Sequence, residues 1–167
     1  MSADVASFTI TRRDGAVHTV LVDAADLERV LAAGPWQIRA AGVRSRLHYA
    51  IRTIRVDGKQ KTQFLHRFLL DPGDLEIDHR NGDGLDNRRD NLRIATRAEN
   101  SRNTGVRRDN SSGFKGVSFH KQCRKWTAQI KLDGKLHRLG LHATPELAHA
   151  AYCRAAAELH GQFRRTS

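Results

Sequence analysis

Glu76-Ile-Asp-His-Arg-Asn-Gly-Asp-Gly-Leu-Asp-Asn-Arg-Arg-Asp-Asn-Leu-Arg-Ile-Ala-Thr-Arg-Ala-Glu-Asn100 is the stretch on which the reading of this chain turns. Two short β-prone pieces, Leu75–His79 and Leu92–Ala95, enclose a polar loop. Thr96-Arg-Ala-Glu99 then has the spacing of a capping box that starts a helix. The stretch is therefore expected to fold as strand, loop, strand and helix. On that scaffold Asp78 and His79 end the first strand, Asn91 opens the second, and Asn100 falls in about the first turn of the helix.

These residue types suit phosphodiester hydrolysis. That reaction needs a base that works near neutral pH to activate water, and a hard cation to neutralise charge on the phosphate and the leaving oxygen. His79 qualifies as the base. Mg²⁺ and Mn²⁺ prefer oxygen ligands and keep several waters, so the Asp78 carboxylate and the Asn100 amide qualify as ligands for one ion. Asn91, through its side chain or its backbone, is placed to accept a hydrogen bond from the other imidazole nitrogen and so fix the tautomer. Two plainer readings compete. Asp, Asn and Gly crowd ordinary turns, so the string also reads as a turn beside a histidine. A calcium loop fits less well, because it needs oxygen ligands at alternating positions and an acid at its twelfth.

Outward from this stretch, the amino-terminal side reads as β-rich. Phe8–Ile10 and Val17–Val22 flank an Asp14-Gly15 turn, and Tyr49–Val56 and Lys61–Leu65 flank Asp57-Gly58 and lead to His66. Between them Leu27, Val30 and Leu31 recur at helical spacing, with Asp23 available as a cap and Gly34-Pro35 as the stop. On the carboxyl side, Asn100–Gly113 has almost no apolar periodicity and reads as a basic linker. Gly116–His120, Lys125–Leu132 and Lys135–Leu141 follow as three strands, the last two joined by Asp133-Gly134. Thr144-Pro145-Glu146 opens a helix that Gly161 closes. Leu147, Ala151, Ala155 and Leu159, with Ala148, Tyr152 and Ala156, give that helix a wide apolar face to lay on the sheet.

The charge is uneven. The 167 residues carry a formal net charge of +11. Residues 1–100 hold 16 basic and 14 acidic side chains, whereas residues 101–167 hold 13 and 4. The second part is thus suited to a polyanion such as nucleic acid. In its strands Val117, Phe119, Trp126, Ala128, Ile130 and Leu139 are expected to face the helix. Ser118, His120, Gln129, Lys131 and Arg138, with Lys115 beside them, fall on the other face, where Arg and Lys reach phosphate or guanine and Gln pairs with adenine. Each lysine alone also reads as an ordinary solvated residue. Cys123 and Cys153 have no CxxC partner, so neither a zinc framework nor a disulfide scaffold is indicated. The absence of an apolar run of about 18 residues argues against a membrane span. A soluble protein that stays inside the cell is expected, with no obligate protein partner indicated.

Residues 64–104 resemble the HNH endonucleases, especially the phage and intron-encoded homing branch with its His-Asn-Asn motif. His79, Asn91 and Asn100 reproduce its order and spacing, and Asp78 stands at its metal-carboxylate position. Asp78-His-Arg-Asn-Gly, Asp86-Asn-Arg, Asn91-Leu-Arg and the upstream Val22-Asp23 and Pro35-Trp36 resemble it too. The resemblance implies His79 as general base, Asn91 as its positioner, and Asp78 with Asn100 on a single divalent ion. His66 occupies a place where the family often has a histidine; it reads either as a phosphate contact or as packing against the hairpin. Residues 112–163 resemble the DNA-binding domain of the APETALA and ethylene-response transcription factors, which phage homing endonucleases also carry. The likeness lies in Ser112-Gly-Phe-Lys-Gly-Val117, Lys125-Trp126, Leu139-Gly140 and His149-Ala-Ala-Tyr152. Several arginines of that family are Ser, His or Gln here, so its sequence preference does not transfer.

The expectation is an α+β chain with a β-rich region at 1–63, a ββα nuclease core at 64–104, a basic linker at 105–111 and a three-stranded, one-helix DNA-binding domain at 112–163. It would be a metal-dependent endonuclease on double-stranded DNA, nicking as a monomer. The rival is a non-catalytic, sequence-specific DNA-binding protein with a decayed nuclease core. An RNA reader is disfavoured, since only 6% of residues are aromatic and no stacking platform is visible.

Overall fold

A computed structural model describes residues 4–42, 47–103, 105–106, 109–132 and 134–160. Asp133 and Gly161, expected at a turn and at a helix end, lie outside the described residues, as do parts of the expected linker. The fold is α+β, with several small antiparallel sheets and few helices. It divides into two compact units between Ala95 and Thr96.

In the first unit, β1 (Val5–Thr11) and β2 (Val17–Asp23) form the expected hairpin, and α1 (Ala24–Ala32) follows directly. A three-stranded sheet comes next, of β3 (Gln37–Ala40), β4 (His48–Val56) and β5 (Lys59–Phe64). Asp57 and Gly58, with φ of 51° and 73°, make the tight turn between the last two. The chain then enters α2 (Leu65–Leu70), a helix where the sequence suggested a strand running up to His66. Leu65 and Leu69 are four apart, so one helical turn buries both. β6 (Glu76–His79) and β7 (Leu92–Ala95) pair antiparallel and close the unit.

A single apolar core binds these pieces together. Val20 and Val22 of β2, Val30 of α1, Ala50 of β4 and Leu65 of α2 are buried with Ile77 of β6 and Leu92 of β7. Burial of such side chains stabilises by roughly 1.5–3 kcal/mol each, so the β-rich region and the two short strands depend on one another for stability. Leu31, expected on the apolar face of α1, is instead 54% exposed, while Asp26 is buried beside Val30. The Asp23 carboxylate does not cap α1 either. Both carboxylates serve the loop described below.

The second unit opens with α3 (Arg97–Arg102), whose Thr96 and Glu99 form the expected capping box. Asn110 then organises a turn: its side-chain oxygen accepts from Ser112 N–H and Gly113 N–H, and its amide donates to Phe114 O. This part of the expected linker is therefore ordered by its own hydrogen bonds. β8 (Val117–His120), β9 (Lys125–Leu132) and β10 (Lys135–His142) form an antiparallel sheet in the order β10-β9-β8. α4 (Pro145–His160) lies on it, with Thr144 Oγ accepting from Leu147 N–H at its start.

Ala148, Ala151, Tyr152 and Ala156 of α4 are buried with Val117, Ala128 and Ile130. Leu147 and Leu159, which the periodicity put on the same face, are 54% and 36% exposed. The small side chains let the helix approach the sheet closely, and the bulkier leucines fall on its flanks. Phe119 likewise stays 46% exposed, at the end of a strand only four residues long, and meets Trp126 edge-on.

Candidate active site

Strand register places the first chemical groups. Asp78 faces Arg93 across the β6–β7 pair, and His79 faces Leu92. Arg93 grips the Asp78 carboxylate, with Nε and Nη2 at 2.7 and 2.5 Å from Oδ2. Both side chains are buried, which makes this a cross-strand ion pair shielded from water. His79, the last residue of β6, is buried as well.

The loop between these strands is tied down from inside. Arg80 N–H donates to Asn91 O at 2.9 Å, and Gly82 N–H to His79 O at 2.8 Å. The Asn91 side chain spans the loop: Oδ1 accepts from Asn81 N–H at 3.0 Å, and Nδ2 donates to Asp86 O at 2.7 Å. Asp86 in turn takes Arg88 Nε and Nη2 at 2.7 and 2.6 Å and Asn81 Nδ2 at 2.9 Å. Asn91 thus braces the loop that leaves His79, through both ends of its amide.

The β2–α1 corner holds the same loop from outside. Leu21 N–H donates to Leu85 O, and Asn87 N–H to Leu21 O, at 2.9 and 2.8 Å. Asp23 Oδ2 accepts from Arg89 N–H at 3.0 Å, and the Arg89 guanidinium makes two hydrogen bonds to the Asp26 carboxylate. This explains why two acids at the start of α1 turn inward.

Around His79 stands a ring of aromatic groups. His66 meets it edge-on with centroids 5.1 Å apart, and Tyr49 lies at 5.8 Å. Phe64 stacks on His66 at 5.2 Å. Burial pushes the His79 imidazole below its usual range; the Asn87 side chain and then the charges of Asp78, Asp83 and Asp86 act the other way. His66 is pushed down to about 3, chiefly by burial and then by the charges of His79 and Arg67. Burial first, and the Asp78 charge second, raise the Tyr49 phenol.

Sequence reasoning marked Asp78, His79 and Asn91, and the first unit brings these three together at the β6–β7 end. Asn100 lies on α3 in the other unit, half-buried, with its N–H bonded to Thr96 O. Four contributors were missed: Tyr49, Asn87, Arg93 and the Asp23/Asp26–Arg89 set. Asn87, 1% exposed, was visible only as part of the Asp86-Asn-Arg string, with no role attached. In the sheet of the second unit, register pairs Ser118 with Thr127, His120 with Lys125 and Arg138 with Gln129. Ser118, His120, Gln129, Lys131 and Arg138 therefore share the face opposite buried Ala128 and Ile130. Lys115 precedes β8 and donates from Nζ to Arg102 O at 2.6 Å.

Among the described residues no three His, Cys, Asp or Glu side chains converge as a group that could hold a metal ion. No helix is long and apolar enough to cross a membrane.

Comparison with known proteins bears on the same stretch. A family model described as HNH endonuclease matches residues 71–102. The chain is 38% identical over 94 residues to Protein 3.8 of Escherichia phage T7, covering 56% of this chain and 77% of that one. It is 33% identical over 106 residues to a protein of Acanthamoeba polyphaga mimivirus named as an uncharacterized HNH endonuclease, covering 59% of this chain and 54% of that one. The chain thus spans about half the length of the mimivirus protein. No solved structure matches. The matched residues run from the end of α2 through β6, the braced loop, β7 and α3, so that stretch of the chain is an HNH endonuclease family domain.

Proposed function

We propose that the chain is a metal-dependent, homing-type endonuclease that hydrolyses phosphodiester bonds in double-stranded DNA and nicks as a monomer. One observation carries this reading: His79 is fixed at the exit of β6, beside the buried Asp78 carboxylate, by a loop braced on both sides. A base must hold its geometry to within fractions of an ångström to be effective, and this one is built on a strand rather than a free loop.

In the proposed reaction His79 takes a proton from the attacking water as the new bond to phosphorus forms. The bond to the departing sugar oxygen breaks, and that oxygen leaves with a proton from solvent. Asp78 and Asn100 would hold one Mg²⁺ or Mn²⁺, which would neutralise charge on the phosphate and the leaving oxygen. Asn91 positions His79 through the loop it spans. Lys115, Ser118, His120, Gln129, Lys131 and Arg138 grip the duplex through an APETALA-type module. The three-stranded sheet under one helix and the shared face of Ser118, His120, Gln129, Lys131 and Arg138 support that assignment. Likeness to a phage protein supports a setting inside a bacterial host.

Supercoiled plasmid incubated with the protein and Mg²⁺ or Mn²⁺ should be converted to nicked circles, and EDTA should stop the conversion. His79→Ala should lower that rate by roughly 10²–10⁴-fold with DNA binding kept. Wild-type protein that binds DNA but never nicks it would leave the rival reading, a DNA-binding protein with a decayed nuclease core.

A further inference from the structure

Within the second unit, α3 and one end of the three-stranded sheet enclose a cleft of about 680 Å³. Its size is that of a small-molecule site rather than of a shallow contact surface. Lys115 ties the two walls together through its hydrogen bond to the last carbonyl of α3.

The lining is of two kinds. Arg97, Arg102, Lys115 and Lys131 supply four cations, and no carboxylate among the described residues joins them. Leu136, Gln129 and the largely buried Tyr152 line it as well. Leu136 is 56% exposed, so its side chain is open to a ligand entering the cleft.

A stacked duplex offers phosphates but keeps the faces of its bases inside, so it matches the cations and leaves the apolar floor unused. An unpaired nucleotide matches both, with phosphate outside and a flat, largely apolar base within. Resting on the reading of this chain as a DNA-acting protein, we infer that the cleft between α3 and the β9–β10 end of the sheet receives an unpaired nucleotide of a DNA strand. The base lies on Leu136, Gln129 meets its polar edge, and Arg97 and Lys131 hold the flanking phosphates. The site thereby senses a gap, bulge or frayed step next to the bound duplex.

The test measures binding of the full chain, in EDTA so that no cleavage intervenes, to two labelled duplexes of one sequence, one intact and one with a short internal run of unpaired nucleotides. The gapped duplex should bind about tenfold more tightly. Leu136→Ser and Arg97→Gln should each erase that preference while intact-duplex binding changes much less. Equal affinity of the wild type for both duplexes overturns the inference and leaves the DNA reading standing. An equal loss on both duplexes in the two variants also overturns it, since the cleft would then be a plain phosphate contact. Binding to neither duplex removes the DNA reading itself.

Discussion

Asp26 and Arg89 stand 63 residues apart in the chain and are joined by two hydrogen bonds, Nε to Oδ2 at 2.7 Å and Nη2 to Oδ1 at 2.9 Å. The acid sits buried in the first turn of α1, and the arginine belongs to the loop that leaves His79. With Asp23 accepting from the Arg89 backbone, the start of a helix fixes the outer side of a loop whose inner side Asn91 fixes. Asp26→Ala should therefore cost about 1–2 kcal/mol, a modest figure because the Arg89 side chain is 49% exposed and partly screened. Thermal unfolding would show this as a fall of roughly 4–8 °C per kcal/mol. If the pair also positions the base, nicking measured well below the melting range should fall, and Asp26→Glu should recover part of it.

The same contacts set the response to acid. Arg89, mainly by its hydrogen bonds, holds the Asp26 carboxyl below its ordinary value, and Arg88 does so for Asp86. A group whose folded value lies below its unfolded one stabilises fully above the unfolded value and loses that stabilisation as pH falls toward the folded one. For the two acids the loss begins near 3.8 and continues downward. For His66, buried in its neutral form, it begins near 6.5 and runs down to about 3. Urea unfolding at a series of pH values should show stability falling from about pH 6.5. His66→Phe should flatten the upper part of the fall and Asp26→Asn the lower part.

The legible parts of this chain are local. The Thr96–Glu99 capping box needs only three residues of separation, and Asp57-Gly58 declares its turn through its own backbone preference. Val117, Ala128 and Ile130 were correctly placed inside because a strand alternates with period two. α2 was hidden because Leu65-His-Arg-Phe-Leu-Leu70 is too short for its apolar period to separate helix from strand. Asp23 and Asp26 read as ordinary first-turn acids, since their partner lies on a loop whose position no local pattern specifies. The Arg93 grip on Asp78 depends on the register of β6 against β7, which a sequence of alternating polar residues leaves open.

Gly84 is needed for its lack of a side chain. A Cβ there would fall under 3.0 Å from the His48 carbonyl and the Tyr49 ring. Tyr49 in turn touches the rings of His66 and His79. Gly84→Ala should therefore push Tyr49 aside at a cost of about 1–3 kcal/mol and shift the imidazole behind it. Nicking should drop further than DNA binding, and Tyr49→Leu, which relieves the ring clash but not the one with the His48 carbonyl, should restore only part of the lost stability in the double variant.

His66 admits two readings from sequence, a phosphate contact or packing, and its burial among rings favours the second. Pushed down to about 3, it carries no charge near neutrality and so offers no ionic attraction to a phosphate. Its ring is stacked on Phe64 and stands edge-on to His79 and Tyr49, so it packs directly against the His79 imidazole. His66→Phe should keep nicking within a few-fold of wild type, because a neutral ring of similar shape replaces another. His66→Ala should cost about 2–3 kcal/mol and lower the nicking rate at unchanged DNA affinity, because a void opens beside the imidazole. A phenylalanine variant that folds and binds normally but does not nick would mean that a nitrogen of His66 takes part in the chemistry.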